Sequence, residues 1–294
     1  MKKFVFILTS ISLLTVSLPT FAIISGDTYV LSVVGSGTEK AQDYINEKID
    51  LAPIKLPEKI SHFRLLEAER SLAPNILKDQ IGLWTAPLRI NYKDLVWFIP
   101  AGGALTALLI TDNDFSQALT SNFHPSSTQD DISKAFAAVG GYAPVLSLPG
   151  GLILTGVITK NDRLRETGTL QYEALASSAI IYLAASRMAG RNKPNNESKG
   201  RGEFFEGGSS FPSGHSQTTW ALASVAAHQY PEKKWVPILG YTIATVISAS
   251  RVTQGTHFPS DVFAGALTGY LIGKYVVKHS SQYSPKYKKK DRDK

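Results

Sequence analysis

The chain contains no cysteine among its 294 residues. That absence excludes disulfides as a source of stability, cysteine nucleophiles, and metal sites built on thiolates. Histidine is scarce too, with 6 residues, so imidazole chemistry has few candidates. A charge surplus is also missing from the body of the chain. All but one unit of the formal net charge of +7 sits at the two ends, in Lys2 and Lys3 and in a tail from Lys286 to Lys294 with six basic and two acidic residues. The rest holds 23 basic against 22 acidic residues, which leaves no electrostatic footprint for nucleic acid. No internal repeat is present, and only the tail is of low complexity.

What is present begins with an export signal. Met1, Lys2 and Lys3 precede an uncharged apolar run from Phe4 to Leu18, and Pro19, Thr20, Phe21 and Ala22 follow with small residues suited to cleavage after Ala22. The run is short for a bilayer span. The expected organisation is a signal peptide over residues 1–22, an N-terminal arm over 23–90, a catalytic domain over 91–280 and a basic, disordered tail over 281–294. The arm is read as helical, with a helix from Thr38 to Ile49 capped by Thr38. The tail offers weak attraction to anionic lipid headgroups.

From Leu95 onward the chain turns to apolar segments too long for ordinary strands. They run Leu95 to Thr111, Ala135 to Thr159, Leu170 to Ala189, Gly214 to Tyr230, Trp235 to Ser250 and Asp261 to Val277, with Pro, Gly, Asn and Asp between them. The fold expected is all-α, a bundle of about six core helices. Ala135 to Thr159 is long enough to span a membrane, but its Gly140-Gly141, Pro144 and Pro149-Gly150-Gly151 suit two shorter helices. With a mean hydropathy of −0.04 for the whole chain, a soluble or peripheral bundle is expected. Asp112-Asn113-Asp114 reads as a helix end with its cap, and His62, His124, His228 and His279 as surface or packing residues.

Two patterns carry chemistry. Phe211-Pro212-Ser213-Gly214-His215 stands where the polar loop Gly207-Gly208-Ser209-Ser210 gives way to an apolar helix. Pro212 suits a first helical position and Gly214 admits a close ligand. The free N–H groups of such a first turn form an anion site, with His215 placed to donate a proton. Ser250-Arg251, five residues, His257, three residues and Asp261 form the second pattern. Pro259 should open the last helix, leaving His257 just before it and Asp261 in its first turn, within reach of the imidazole. Arg251 supplies a planar fork suited to phosphate oxygens.

These patterns resemble the second and third signatures of the type 2 phosphatidic acid phosphatase and vanadium haloperoxidase superfamily, over roughly residues 95 to 280. The resemblance implies an acid phosphatase/haloperoxidase-type bundle in which His257 attacks phosphorus, Asp261 supports it, and His215 protonates the leaving oxygen. It implies that Ser213, Gly214 and Arg251 bind phosphate oxygens, with no metal in the phosphatases. The family's first signature is a lysine, six residues, then arginine and proline, and here the chain departs from it. Ser186 stands where the lysine belongs and Lys193 where the arginine belongs, before Pro194. Lys193 can still neutralise phosphate, and Arg187 or Arg191 is near enough in sequence to replace the lost lysine.

The expected activity is hydrolysis of phosphomonoesters or diphosphates, of lipids such as phosphatidate or an isoprenoid diphosphate, without cofactor, in an exported protein, periplasmic or secreted. Two other classes use the same cradle: a haloperoxidase holding vanadate as cofactor, and a non-catalytic binder of lipid phosphates.

Overall fold

The computed structural model describes residues 5–9, 20–25, 28–33, 67–122, 126–195 and 202–281. Three strands, β1 (Val5–Thr9), β2 (Thr20–Ser25) and β3 (Thr28–Val33), pair antiparallel in that order. Val5 lies opposite Ile24, and Thr20 opposite Val33. Of the arm expected to be helical, residues 23–25 and 28–33 are thus strand; β-branched Thr, Val and Ile favour that state. The expected helix from Thr38 to Ile49 and the basic tail beyond Ser281 lie outside the described residues.

The body is all-α, with eight helices among the described residues: α1 (Glu67–Trp84), α2 (Leu95–Asn122), α3 (Ser127–Val139), α4 (Tyr142–Ile158), α5 (Asp162–Ala189), α6 (Gly214–Gln229), α7 (Trp235–Thr253) and α8 (Pro259–Ser280). Local chemistry sets several of their ends. Ser126 and Gln129 close a reciprocal capping box at the start of α3, and Asn161 accepts from the Leu164 N–H at the start of α5. Gly190 ends α5 at φ 52°, a left-handed position that glycine enters without strain. The stretch from Ala135 to Thr159 breaks at Gly140-Gly141 into α3 and α4, bent by 50°.

One departure is α2. It continues straight through Asp112-Asn113-Asp114 to Asn122, where a helix end was expected. Asp112 does not cap this helix, because its carboxylate has a cationic partner elsewhere in the fold.

The core lies between α5, α6 and α8. Leu170, Ala174, Ala221, Val225, Ile272 and Val276 form one buried cluster, and Val145, Leu175 and Leu222 a second. Each fully buried Leu, Val or Ile contributes about 1.5–3 kcal/mol. Amide side chains stitch α5 to α6, Gln171 donating to the Leu222 carbonyl at 3.1 Å and Gln217 to that of Ser178 at 3.0 Å. The contact of α6 with α8 is closer still. A Cβ at Gly269 would lie 2.1 Å from the Gln217 carbonyl oxygen, and one at Gly265 2.4 Å from that of Ser213. Backbone therefore packs on backbone there, as in small-xxx-small helix pairs.

Much of the outside is apolar. Among the described residues two helical stretches, Leu95–Leu119 and Trp235–Thr253, are long and apolar enough to cross a membrane, or three with α3 and α4 taken as one bent span. Both are mostly bare, with Trp97, Ile99, Ile110, Trp235 and Ile238 all more than half exposed. Faces of this kind support membrane association, the peripheral rather than the soluble side of the expectation of a soluble or peripheral bundle. The averaged hydropathy hid them, because the polar tail and arm offset the apolar helices.

Candidate active site

The C-terminal half of α5, the loop after it, the first turns of α6, the end of α7 and His257 just before α8 line one cavity of about 380 Å³. Lys193, Ser209, Gly214, His215, Arg251 and His257 line its polar side, and Tyr142, Val145, Tyr182 and Leu183 its apolar side. The loop is held by its own backbone. Phe205 N–H donates to the Ala189 carbonyl at 2.8 Å, Asn192 N–H to Glu203 at 3.0 Å and Ser210 N–H to Arg191 at 2.9 Å. Gly208 permits this pairing, since a Cβ there would lie 2.2 Å from the Arg191 carbonyl oxygen. The pairing brings Lys193 and Ser209 to the same rim.

His257 is buried at the entry to α8, its backbone N–H donating to the Arg251 carbonyl at 3.3 Å. Its Nδ1 lies 2.8 Å from the Ser210 carbonyl oxygen. A carbonyl only accepts, so Nδ1 carries the hydrogen and Nε2 keeps its lone pair. Asp261 was expected to orient the ring, but its carboxylate stands 3.8 Å from Nδ1, too far for a hydrogen bond. It acts on the ring as a nearby charge, and it also fixes the loop that does orient the ring: Oδ2 accepts from Ser210 Oγ at 2.6 Å and from the Phe258 N–H at 2.8 Å. Burial pushes the Asp261 carboxyl up, but His257, the Arg191 charge and the donors Ser210 and Phe258 outweigh it and hold the group below its ordinary value.

His215, in the first turn of α6, faces the same cavity. Burial, then the charges of Arg251, His257 and Lys193, push its pKa down to about 4. Its imidazole is therefore neutral at pH 7, and a phosphate dianion beside it would oppose those charges and favour protonation. The α6 N-terminus begins at Gly214 rather than at Pro212, which lies before the Ser213 cap and follows a cis peptide. Gly214 lines the cavity, whereas Ser213 is fully buried and its hydroxyl lacks a hydrogen-bond partner among the described residues. Ser133 on α3 fixes the far end of α7, bonding Thr253 at 2.7 Å and accepting Gln254 Nε2 on its carbonyl at 2.8 Å. That contact steadies Arg251, whose Nη1 donates to Gln254 at 3.1 Å.

Two of the expected phosphate ligands are elsewhere. Arg191 is 2% exposed and absent from the cavity wall; its guanidinium bonds Asp261 at 2.6 Å, Asp112 at 2.8 Å, Ser260 at 2.7 Å and the Gly202 carbonyl at 3.0 Å. With every nitrogen engaged in a closed pocket it has nothing left for phosphate, and its work is to hold Asp261. Arg187 is exposed on the outside of α5, away from the cavity wall. The lost lysine therefore has no substitute from these two, and Ser186 at its place is buried. Sequence reasoning missed the Ser210 carbonyl, Asp112, and the Gly265, Gly269 and Gly273 stripe that seats α6 on α8. The stripe was legible as glycines four apart, and Asp112 as an acid within an apolar run; the carbonyl had no sequence signal.

Residues 168–284, which hold His215, Arg251, His257 and Asp261, match the PAP2 superfamily. Among curated proteins, the chain is 38% identical over 65 residues to a lipid A 1-phosphatase of Porphyromonas gingivalis, covering 22% of this chain and 15% of that protein. It is 43% identical over 63 residues to an undecaprenyl-diphosphatase of Sulfolobus acidocaldarius, covering 21% of this chain and 30% of that one. The chain thus spans less than a third of either relative. Among solved structures, a transmembrane PAP2-type phosphatidylglycerolphosphate phosphatase from Bacillus subtilis aligns over 74% of this chain and 97% of its own, with 20% identity and a TM-score of 0.49.

Proposed function

We propose that this PAP2-type site hydrolyses phosphomonoesters or diphosphates carried by lipids, phosphatidate or an isoprenoid diphosphate being the chemistries that suit it, through a phosphohistidine on His257. The observation that carries the reading is the hydrogen bond from Nδ1 to the Ser210 carbonyl, which leaves Nε2 as the nucleophile in a cavity shared with His215, Lys193 and Arg251. Nε2 bonds to phosphorus as the bond to the leaving oxygen breaks, and His215 gives that oxygen its proton. Water then attacks phosphorus, His215 takes the proton, and the N–P bond breaks to release phosphate. Lys193, Arg251 and the first N–H groups of α6 face the phosphoryl oxygens and neutralise the charge that builds on them.

Lipid substrates are favoured by the cavity's apolar side and by the bare apolar helices around it. The names of the two curated relatives, a lipid A phosphatase and an undecaprenyl diphosphatase, support the same class. Residues 1–22 are read as the export signal, the mature protein as a membrane-associated enzyme on the periplasmic or outer side, and the basic tail as a further contact with anionic lipid.

The test is phosphate release by the full chain in detergent, with chelator and without added metal, from phosphatidate, an isoprenoid diphosphate and a small monoester, alongside His257→Ala. Release that the substitution abolishes supports the reading and ranks the substrates. A variant that keeps most of its activity contradicts it.

A further inference from the structure

Asp112 lies inside the apolar stretch Leu95–Leu119 of α2, yet it is only 1% exposed. A carboxylate on a helix of that character is costly unless it turns inward and is paired, and such residues tend to serve function. Its oxygens are fully engaged. Oδ2 accepts from Arg191 Nη2 at 2.8 Å and from the Ser260 hydroxyl, and Oδ1 accepts from the Ser260 backbone N–H at 3.1 Å. The other arm of Arg191, Nη1, reaches Asp261 Oδ1 at 2.6 Å. Two carboxylates from helices far apart in sequence thus share one guanidinium, which lies 4.2 Å from the Phe258 ring and 4.8 Å from that of Phe204.

We infer that Asp112 is a positioning residue for the reaction at His257. It fixes Arg191 in the fork geometry that holds Asp261, and it pins the first turn of α8 through Ser260. Asp261 in turn holds Ser210, whose carbonyl aims the imidazole. The cluster is also one negative charge in surplus, two carboxylates to one guanidinium, and it sits behind a ring that gains positive charge as Nε2 attacks phosphorus. Removing the Asp112 charge leaves the cluster neutral and lets Arg191 bear on Asp261 alone. No cavity-lining cation touches Asp112, so the loss falls on turnover and spares substrate binding.

The inference rests on the phosphatase reading, and the experiment separates the two. Phosphate release from phosphatidate by the full chain in detergent is followed for wild type, Asp112→Asn, Arg191→Met and the double variant, with melting temperature recorded for each. Asp112→Asn is expected to lower kcat by about tenfold or more with KM within about twofold, the range typical of residues that orient a reacting group. In the Arg191→Met background the same change should cost clearly less than in wild type, because Asp112 acts largely through Arg191 and only its Ser260 contacts remain to be lost. Ser260→Ala keeps both charges and removes one bridge, and should lower kcat less, again at constant KM; it carries the test if Asp112→Asn does not fold. Wild-type kcat in Asp112→Asn, or effects of the two substitutions that multiply, overturns the inference alone. No release by the wild type overturns the phosphatase reading and the inference together.

Discussion

Gly269→Ala puts the packing of the two catalytic helices to the test. The added Cβ would lie 2.1 Å from the Gln217 carbonyl oxygen and 3.0 Å from the Ala221 nitrogen, both backbone atoms that no rotamer change can move. Relief requires α6 and α8 to separate by about 1 Å, an overpacking that costs roughly 1–3 kcal/mol. His215 rides on α6, while His257 and Asp261 sit at the start of α8, so the same separation moves the proposed proton donor from the proposed nucleophile. A misplacement of about 1 Å can cost on the order of 100-fold in rate. We therefore expect Gly269→Ala to lose several degrees in Tm and on the order of 10- to 100-fold in kcat, with a smaller change in KM, because Lys193 and Arg251 lie on neither helix. Differential scanning fluorimetry in detergent and phosphate release from phosphatidate give both numbers. Wild-type Tm and kcat together would refute the reasoning, since they would mean that the α6–α8 contact has slack and does not set the distance between the histidines.

Two further outcomes follow from the same physics. His215→Ala should slow hydrolysis of an alkyl phosphate by about 10²–10⁴-fold, yet slow an activated aryl phosphate far less, because a good leaving group needs no proton; equal losses on both would remove His215 from the role of acid. Glu173 and Asp79 form a buried carboxyl pair between α5 and α1; burial, then the neighbouring acid, raises Glu173, and burial raises Asp79 against the opposing bond from Glu173. With folded values above the unfolded ones, their contribution is complete below the ordinary carboxylate range and is lost as pH climbs through the raised values. Thermal melts from pH 5 to pH 9 should show Tm falling with pH, and Glu173→Gln should flatten that fall; an unchanged slope in the variant would contradict it.

How much of this was legible in the sequence depends on distance along the chain. The motif residues His215, Arg251 and His257 line one cavity, as the family resemblance implied; within the second pattern a helix end and a short turn place Arg251 beside His257, and Pro259 opens α8 as expected. The helix starts at Leu95, Gly214 and Trp235 were also readable, since capping and turn residues are local signals. What failed depended on partners far away. Arg191 looked like a phosphate ligand because it is basic beside the altered signature, yet Asp112, 79 residues earlier, claims it. Asp112 looked like a cap because an acid in an apolar helix usually marks an end, and only the fold supplies the buried cation that keeps it inside. The bare apolar faces were hidden for a related reason: composition averages over the chain, whereas exposure belongs to particular residues such as Trp97 and Ile110.

The claim at the centre of the account is that Nε2 of His257 forms a bond to phosphorus. Wild-type protein mixed with labelled lipid phosphate and quenched within milliseconds in alkali should carry a phosphoryl group that survives base and is lost in acid, mapped to His257 and absent from His257→Ala. Turnover with no such adduct at any quench time, or an adduct that persists in His257→Ala, would contradict it.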